Sequence, residues 1–480
     1  MVFTMIGGGA HRLLSTVRGA LNEGAFREGG ELRYYDLDSS RSRVMAEMIQ
    51  KSPEFRKNPA PVTVKWDLTL EEALEGADVV SVTLLAGGAY AMNLSNELGW
   101  SYGFLGSDNV SYPGAFLALR GAPILMNIAR TMERVAPNAI LLDFANPVAV
   151  LSGMVNMFTK IRCYGICEGH NNHCVDLTRL LTGKDAFCPD YDVYVAGINH
   201  ASFICKGSLH GEDLFKLVAK RFADVPDWLD KLEFSPYANE VTRKWARFGL
   251  SRTAALFEHR GALMFSSEAD GFQHYFHEDA QKFHREISGE PYGHNGELLD
   301  DAAMAKLKAD SEAGRAGRIA QNVEFEKFAS LPADEIPWND PARHIFHIVS
   351  KGDVQCKVLC GLAGVEKTRV AVSALNDGSV ANMAKGLTME FSHEVDQTGL
   401  HPIAGLEVPM GVYGMTASLA AHQTLLARAC GTNDPHDLYT ALLAYPIAPD
   451  SDAAHELWGK LLTASKGTID PAFEGLRKYL

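Results

Sequence analysis

Cysteine is sparse in this chain: eight residues in 480 (Cys163, Cys167, Cys174, Cys188, Cys205, Cys356, Cys360 and Cys430), set mostly inside apolar segments. That density excludes the disulfide framework of a small secreted domain and favours a reducing, cytoplasmic setting. No apolar run approaches the roughly 18 uninterrupted residues that a membrane-spanning helix needs. The opening Met1-Val2-Phe3-Thr4-Met5-Ile6 runs into glycines with neither a basic region nor a long apolar core, so no signal peptide is expected. Basic charge is in deficit, with 45 Lys and Arg against 59 Asp and Glu and a formal net charge of -14. Nothing basic is concentrated enough to neutralise a phosphate backbone, which argues against a nucleic-acid binder and for a small-molecule ligand. Low-complexity linkers, internal repeats and long charge runs are also missing. What remains, 46% hydrophobic and 22% charged residues, is ample for a large core in two or three closely packed units.

Short apolar runs at residues 2–6, 33–37, 79–85, 139–144 and 163–167 alternate with helix-like segments, of which residues 115–135 read as a crossover helix. This alternation predicts an α/β fold, a Rossmann-like doubly wound parallel sheet, over residues 1–192. Regularity fades after a strand-like run at 193–197, and long helical patterns follow around 213–223 and 300–328. An α+β domain over residues 193–480 is therefore expected, sharing an extended interface with the first.

Ile6-Gly7-Gly8-Gly9-Ala10 follows the first strand and precedes a helical segment, where a pyrophosphate would meet backbone N–H groups. Gly7 suits the tight turn, Gly8 follows it, and Gly9 admits the phosphates closely. Arg12 stands where the usual third glycine would be, and an ordinary strand-to-helix turn would use the same glycines. The second strand ends in Tyr34-Tyr35-Asp36, and an acid there accepts both ribose hydroxyls while repelling a 2′-phosphate, which favours NAD over NADP. Asn146-Pro147 closes the fourth run and would set an amide beside the nicotinamide; an Asn-Pro turn is the plainer reading.

Tyr164-Gly165-Ile166-Cys167-Glu168-Gly169-His170 closes a fifth strand, at the sheet edge where ligands bind. A thiolate at Cys167 and an imidazole at His200, from Gly197-Ile198-Asn199-His200, would make a mixed site for a borderline divalent ion. A buried thiol and a hydrogen-bonded histidine would look the same in sequence. A structural zinc site from Cys163, Cys167, His170, His173 and Cys174 is disfavoured because Cys163 shares a strand with Cys167 and no paired C-x-x-C arrangement occurs.

Taken together, Gly7-Gly8-Gly9, Tyr35-Asp36-Leu37-Asp38, Phe144-Ala145-Asn146-Pro147-Val148, Gly165-Ile166-Cys167-Glu168-Gly169-His170, Ala196-Gly197-Ile198-Asn199-His200 and Thr398-Gly399-Leu400-His401-Pro402 resemble the signatures of glycoside hydrolase family four. These NAD- and metal-dependent glycosidases depart from two-carboxylate hydrolysis. The resemblance spans nearly the whole chain. It implies that Cys167 and His200 bind a divalent ion, usually Mn2+ in that family, beside NAD bound through Gly7, Gly8, Gly9, Asp36 and Asn146. Glu168 would protonate the glycosidic oxygen, and Asn146, His170 and Asn199 would contact the sugar. The implied reaction is C3 oxidation, C1–C2 elimination, water addition and re-reduction, in a homodimer or homotetramer.

The segment Phe265-Ser266-Ser267-Glu268-Ala269-Asp270 matches only loosely the region that carries the family's base. Glu268 and Asp270 are the candidates, with Tyr237 and Tyr275 behind them. Leu85 or Ala86 replaces the arginine with which phospho-glycosidase members hold the sugar phosphate, so a non-phosphorylated α-glycoside, a hexoside or uronide, is expected. A 2-hydroxy-acid dehydrogenase would share the nucleotide domain, but it relies on a His–Asp pair and substrate-gripping arginines rather than a thiolate. A non-catalytic NAD-binding sensor would keep the same motifs.

Overall fold

The computed structural model describes residues 1–167, 169–235, 238–265, 269–288, 299–340 and 353–480; for residues 169–172, 269–270 and 288 it describes the backbone alone. Six strands, β1 (Val2–Ile6), β2 (Gly30–Tyr35), β3 (Val62–Lys65), β4 (Val79–Val82), β5 (Ile140–Asp143) and β6 (Arg162–Gly165), pair in parallel in the order 3-2-1-4-5-6. This is the doubly wound arrangement expected. Both sheet faces are covered, so β4 and β5 are buried throughout rather than alternately. Along β5 the pleat sends Ile140 and Leu142 into one hydrophobic core and Leu141 into the other.

The crossover helix Tyr112–Val135 lies between β4 and β5. Ser111 caps it, its Oγ accepting from Gly114 N at 2.9 Å, and Pro113 sits in the first turn where its missing N–H costs nothing.

The sheet does not stop at β6. Strands β7 (Tyr191–Ile198), β8 (Ala201–Leu209), β9 (Glu212–Asp213), β10 (Leu263–Met264), β11 (Thr368–Leu375), β12 (Thr388–Asp396) and β13 (Gly399–Pro402) extend it antiparallel into one 13-stranded sheet. β11 joins β6 through Ser373 and Gly165. The division placed after residue 192 falls two residues into β7.

Two differences from the sequence reading have simple causes. β4 ends at Val82 rather than running to residue 85, because the chain turns at Gly87 and Gly88, both at positive φ. β3 escaped notice because it is a four-residue edge strand with no fully buried position. Among the described residues, no helix is long and apolar enough to cross a membrane.

Candidate active site

The C-terminal ends of β1 and β2 form a narrow cradle. Gly7 has φ +80°, and a Cβ there would stand 1.9 Å from the Thr83 carbonyl oxygen, so only glycine fits. Gly8 N donates to Tyr35 O at 2.7 Å. A Cβ on Gly9 would meet Arg41 Cβ at 2.6 Å and Asp36 Oδ2 at 2.9 Å. The helix Arg12–Asn22 then starts with no side-chain cap and no acid in its first turn, leaving a positive dipole end facing the cradle. Asp36, just past β2, accepts from Gly9 N at 3.0 Å and from Asp38 N at 3.1 Å. Its carboxylate therefore lies at the lip of the glycine turn, where an acid meets a ribose. Arg12, at the third-glycine position, folds its guanidinium over the Phe144 ring, 3.6 Å from the centroid. These residues fit a dinucleotide in kind, with glycines at the turn and an acid at its lip, and Arg41 lies over Gly9, its Nη2 donating to Gly9 O at 3.1 Å.

Beyond β5 the chain turns sharply. Asp143, fully buried, accepts from Ala145 N at 2.9 Å, and burial pushes its carboxyl well above the usual carboxylate range. Asn146 then extends its amide to Asp108 Oδ2 at 2.7 Å; the Asn146–Pro147 peptide is cis.

The thiol and the imidazole come together. Pairing aligns Gly165 of β6 with Ser373 of β11, Glu390 of β12 with Ser373 and with Gly197 of β7, so the four residues form one row across the sheet. Three strand spacings, about 14 Å, separate the outer members. The segments leaving β6 and β7 close that gap, and Cys167 Sγ stands 3.9 Å from His200 Nε2.

His200 occupies the second position of the two-residue turn between β7 and β8, at φ +68°. Left-handed backbone costs a non-glycine residue about 1 kcal/mol, so the surroundings must hold it. Asn199 Nδ2 donates to Glu390 Oε2 and Ser202 Oγ to Glu390 Oε1, each at 2.8 Å and buried. On the other side Gly271 packs so closely that a Cβ would lie 1.8 Å from His200 O. Asn109 Nδ2 contacts His200 Nε2 at 3.1 Å.

Of the site residues read from sequence, Gly7, Gly8, Gly9 and Asp36 share one cradle, and Cys167 meets His200. Asn109 and Asp108 are neighbours in sequence, so their contacts link His200 to Asn146. Asn199 is 2% exposed and turned toward Glu390. Glu168, Glu268 and Tyr237 lie outside the described residues, as do the side chains of His170 and Asp270. Tyr275 packs against the core, its hydroxyl pushed above the usual phenol range by burial. Leu85 is 45% exposed and Ala86 buried, and neither offers a cation to a phosphate. Sequence reasoning missed Asp108, Asn109 and Glu390. The first two look like helix-entry polar residues, whereas Glu390, an acid amid the apolar Thr388-Met389-Glu390-Phe391-Ser392, was a usable signal.

Sulfur and imidazole nitrogen suit a borderline divalent ion. Asn109 Oδ1 and Asn199 Oδ1 are both buried without a hydrogen-bond partner, and of the two amides Asn109's is the one that reaches His200 Nε2. Among the described residues, no three His, Cys, Asp or Glu side chains gather to hold a metal.

Family models match most of the chain: Family 4 glycosyl hydrolase over residues 2–182 and Family 4 glycosyl hydrolase C-terminal domain over residues 195–448. The chain is 20% identical over 469 residues to the "Probable 6-phospho-beta-glucosidase" of Bacillus subtilis (strain 168), covering 98% of this chain and 97% of that one. It is 23% identical over 446 residues to the alpha-galacturonidase of the same organism, covering 91% of each. The solved 6-phospho-beta glucosidase of Thermotoga maritima, with manganese, NAD+ and glucose-6-phosphate, matches at TM-score 0.70 and 20% identity, over 98% of this chain and 100% of that one. That likeness shows the fold.

Proposed function

The chain belongs to family 4 of the glycosyl hydrolases, and from that premise we propose that it cleaves a non-phosphorylated α-glycoside, a hexoside or uronide, with NAD and a divalent ion such as Mn2+. The observation that carries the reading is the approach of Cys167 Sγ to His200 Nε2 at 3.9 Å, from segments that only the extended sheet brings together. When bound, NAD takes and returns a hydride at C3 of the sugar while the divalent ion acts as a Lewis acid, so no net oxidation results.

The chain's own residues supply the rest. Gly7, Gly8 and Gly9 let the pyrophosphate approach the helix Arg12–Asn22, and Asp36 orients the ribose. Asn146, held by Asp108, faces the sugar near the nicotinamide. Asp270 or Glu268 removes the C2 proton; the backbone of Gly271 against His200 favours Asp270, its sequence neighbour, for that place. Glu168 protonates the glycosidic oxygen as the C1–O bond breaks, and water then adds across C1 and C2. Residues 1–192 would carry the nucleotide and residues 193–480 most of the substrate and subunit contacts, in a homodimer or homotetramer that light scattering would reveal.

Relatives named for 6-phospho-β-glucosides and for α-galacturonides both match this chain, and Leu85 with Ala86 favours the non-phosphorylated class. The test is a panel of nitrophenyl glycosides, uronides and 6-phosphates included, incubated with reduced protein, NAD and Mn2+. Release is expected from a non-phosphorylated α-glycoside, only with both additives, and with solvent deuterium entering at C2 of the product sugar. Hydrolysis without C2 exchange would refute elimination. Steady NADH accumulation with a hydroxy acid would point to a dehydrogenase instead.

A further inference from the structure

Resting on the assignment of a divalent ion to Cys167 and His200, we propose that Asn109 is a third protein ligand of that ion, through its side-chain carbonyl oxygen. The residue is 3% exposed and its backbone is pinned. Asn109 N donates to Ser107 Oγ at 3.0 Å, Ser111 N donates to Asn109 O at 3.1 Å, and a Cβ on Gly114 would lie 2.0 Å from that same oxygen. The side chain is thus delivered to one place. There Nδ2 lies 3.1 Å from the imidazole nitrogen that is also 3.9 Å from Cys167 Sγ. Amide, imidazole and thiol converge on one point.

The far end of the amide is the second sign. Oδ1 is buried and accepts no hydrogen bond. An orphaned acceptor of this kind costs about 1–3 kcal/mol. An ion at His200 Nε2 takes the lone pair to which Nδ2 donates, so that hydrogen bond is lost, and positive charge repels the amide's donor end. A half-turn about the last side-chain bond exchanges the two ends in nearly the same volume. Oδ1 then faces the cation. The exchange adds an oxygen donor to sulfur and nitrogen, which suits an ion with manganese's preference for oxygen.

The test is Mn2+ binding to the metal-free full chain, read as loss of the free-ion electron paramagnetic resonance signal, with NAD affinity and Tm as checks on folding. Asn109→Ala is expected to weaken Mn2+ at least tenfold, and Asn109→Asp, which keeps an oxygen in place, to match or exceed the wild type. Cys167→Ala and His200→Ala should abolish binding. With Co2+ instead, Asn109→Ala should keep the sulfur-to-cobalt charge-transfer band and shift the ligand-field bands. Wild-type Mn2+ affinity in Asn109→Ala, with binding lost in Cys167→Ala and His200→Ala, overturns the role of Asn109 and leaves the two-residue site standing. Equal weakening in Asn109→Ala and Asn109→Asp also overturns it, because a ligand oxygen would then not matter. Undiminished binding in Cys167→Ala and His200→Ala overturns the site itself and the proposal with it.

Discussion

Replacing Glu390 by alanine removes the one carboxylate that accepts from both Asn199 and Ser202 beneath the His200 turn. Each donor is buried, 2% and 1% exposed respectively, so water cannot take over without the backbone opening. Two stranded donors cost about 1–3 kcal/mol each, giving about 2–6 kcal/mol in all. For a chain of this length unfolding as one unit, the entropy of unfolding is about 1 kcal/mol/K, so Tm should fall by about 2–6 °C. Glu390→Gln is the discriminating control. Its amide oxygen still accepts from Asn199, and the Ser202 hydroxyl can rotate to accept from the new NH2. Its loss should be about 1 kcal/mol or less. Function should divide the same way: with the left-handed turn unsupported, His200 drifts from Cys167, so Glu390→Ala should lose Mn2+ affinity while Glu390→Gln largely keeps it. Calorimetry and metal titration on both variants read this directly. The reasoning is refuted if Glu390→Ala melts within 1 °C of wild type or if Glu390→Gln is as damaged as Glu390→Ala.

Gly9→Ala should fold yet bind NAD at least tenfold more weakly, about 1.4 kcal/mol, because its Cβ would press on Asp36 Oδ2; unchanged affinity in a fluorescence titration would remove Asp36 from the ribose site. Burial lowers His422 and His393 from the usual histidine range to about 4. Their neutral forms support the fold fully above about 6.5, and that support is lost as pH falls toward 4, at most about 3 kcal/mol for each. Tm should therefore drop steeply over that interval, and His422→Asn, which keeps a donor toward Ala441 O, should flatten the curve; an unaltered slope would count against His422. Leu85→Arg should raise kcat/KM for 6-phosphorylated glycosides relative to neutral ones, measured on the same nitrophenyl panel.

The parallel half of the fold was legible because its information is local. Each β-strand of that half except β3 announces itself in a short run, Gly7 and Asp36 lie at strand ends, and the alternation of strands with helices points to parallel, right-handed crossovers, although the order 3-2-1-4-5-6 itself came from the structure. The antiparallel half was not legible to the same degree. Nothing near residue 373 says that β11 will pair with β6, and the register that sets Gly165, Ser373, Glu390 and Gly197 in one row is a product of distant chain segments meeting. Cys167 and His200 were read as candidates from their strand ends and donor chemistry, and motif resemblance, which carries long-range information implicitly, then assigned them to one ion. Asn109 was not so read, since an asparagine before a helix has ordinary uses elsewhere, and Glu390, between Met389 and Phe391, was a signal left unread.

That difference bears on how the site is held. Asp108 and Asn109 come from the loop before the crossover helix, Asn146 and Cys167 from parallel strand ends, and His200 and Glu390 from the antiparallel extension. No single segment can form the site, and a shift of β12 by one residue would turn Glu390 to the opposite face and release the His200 turn. The dinucleotide cradle, by contrast, takes its strands from β1, β2 and β4, although its helix is braced from the C-terminal half, Thr16 Oγ1 donating to Asp353 at 2.9 Å and His11 stacking on Phe325. Nucleotide binding should therefore survive changes confined to Glu390 or the His200 turn that abolish the thiol–imidazole pair. On the proposed reading, the two binding events would draw on different strands of one sheet, and catalysis would require that β6, the strand where the parallel and antiparallel parts join, keep its register with β11.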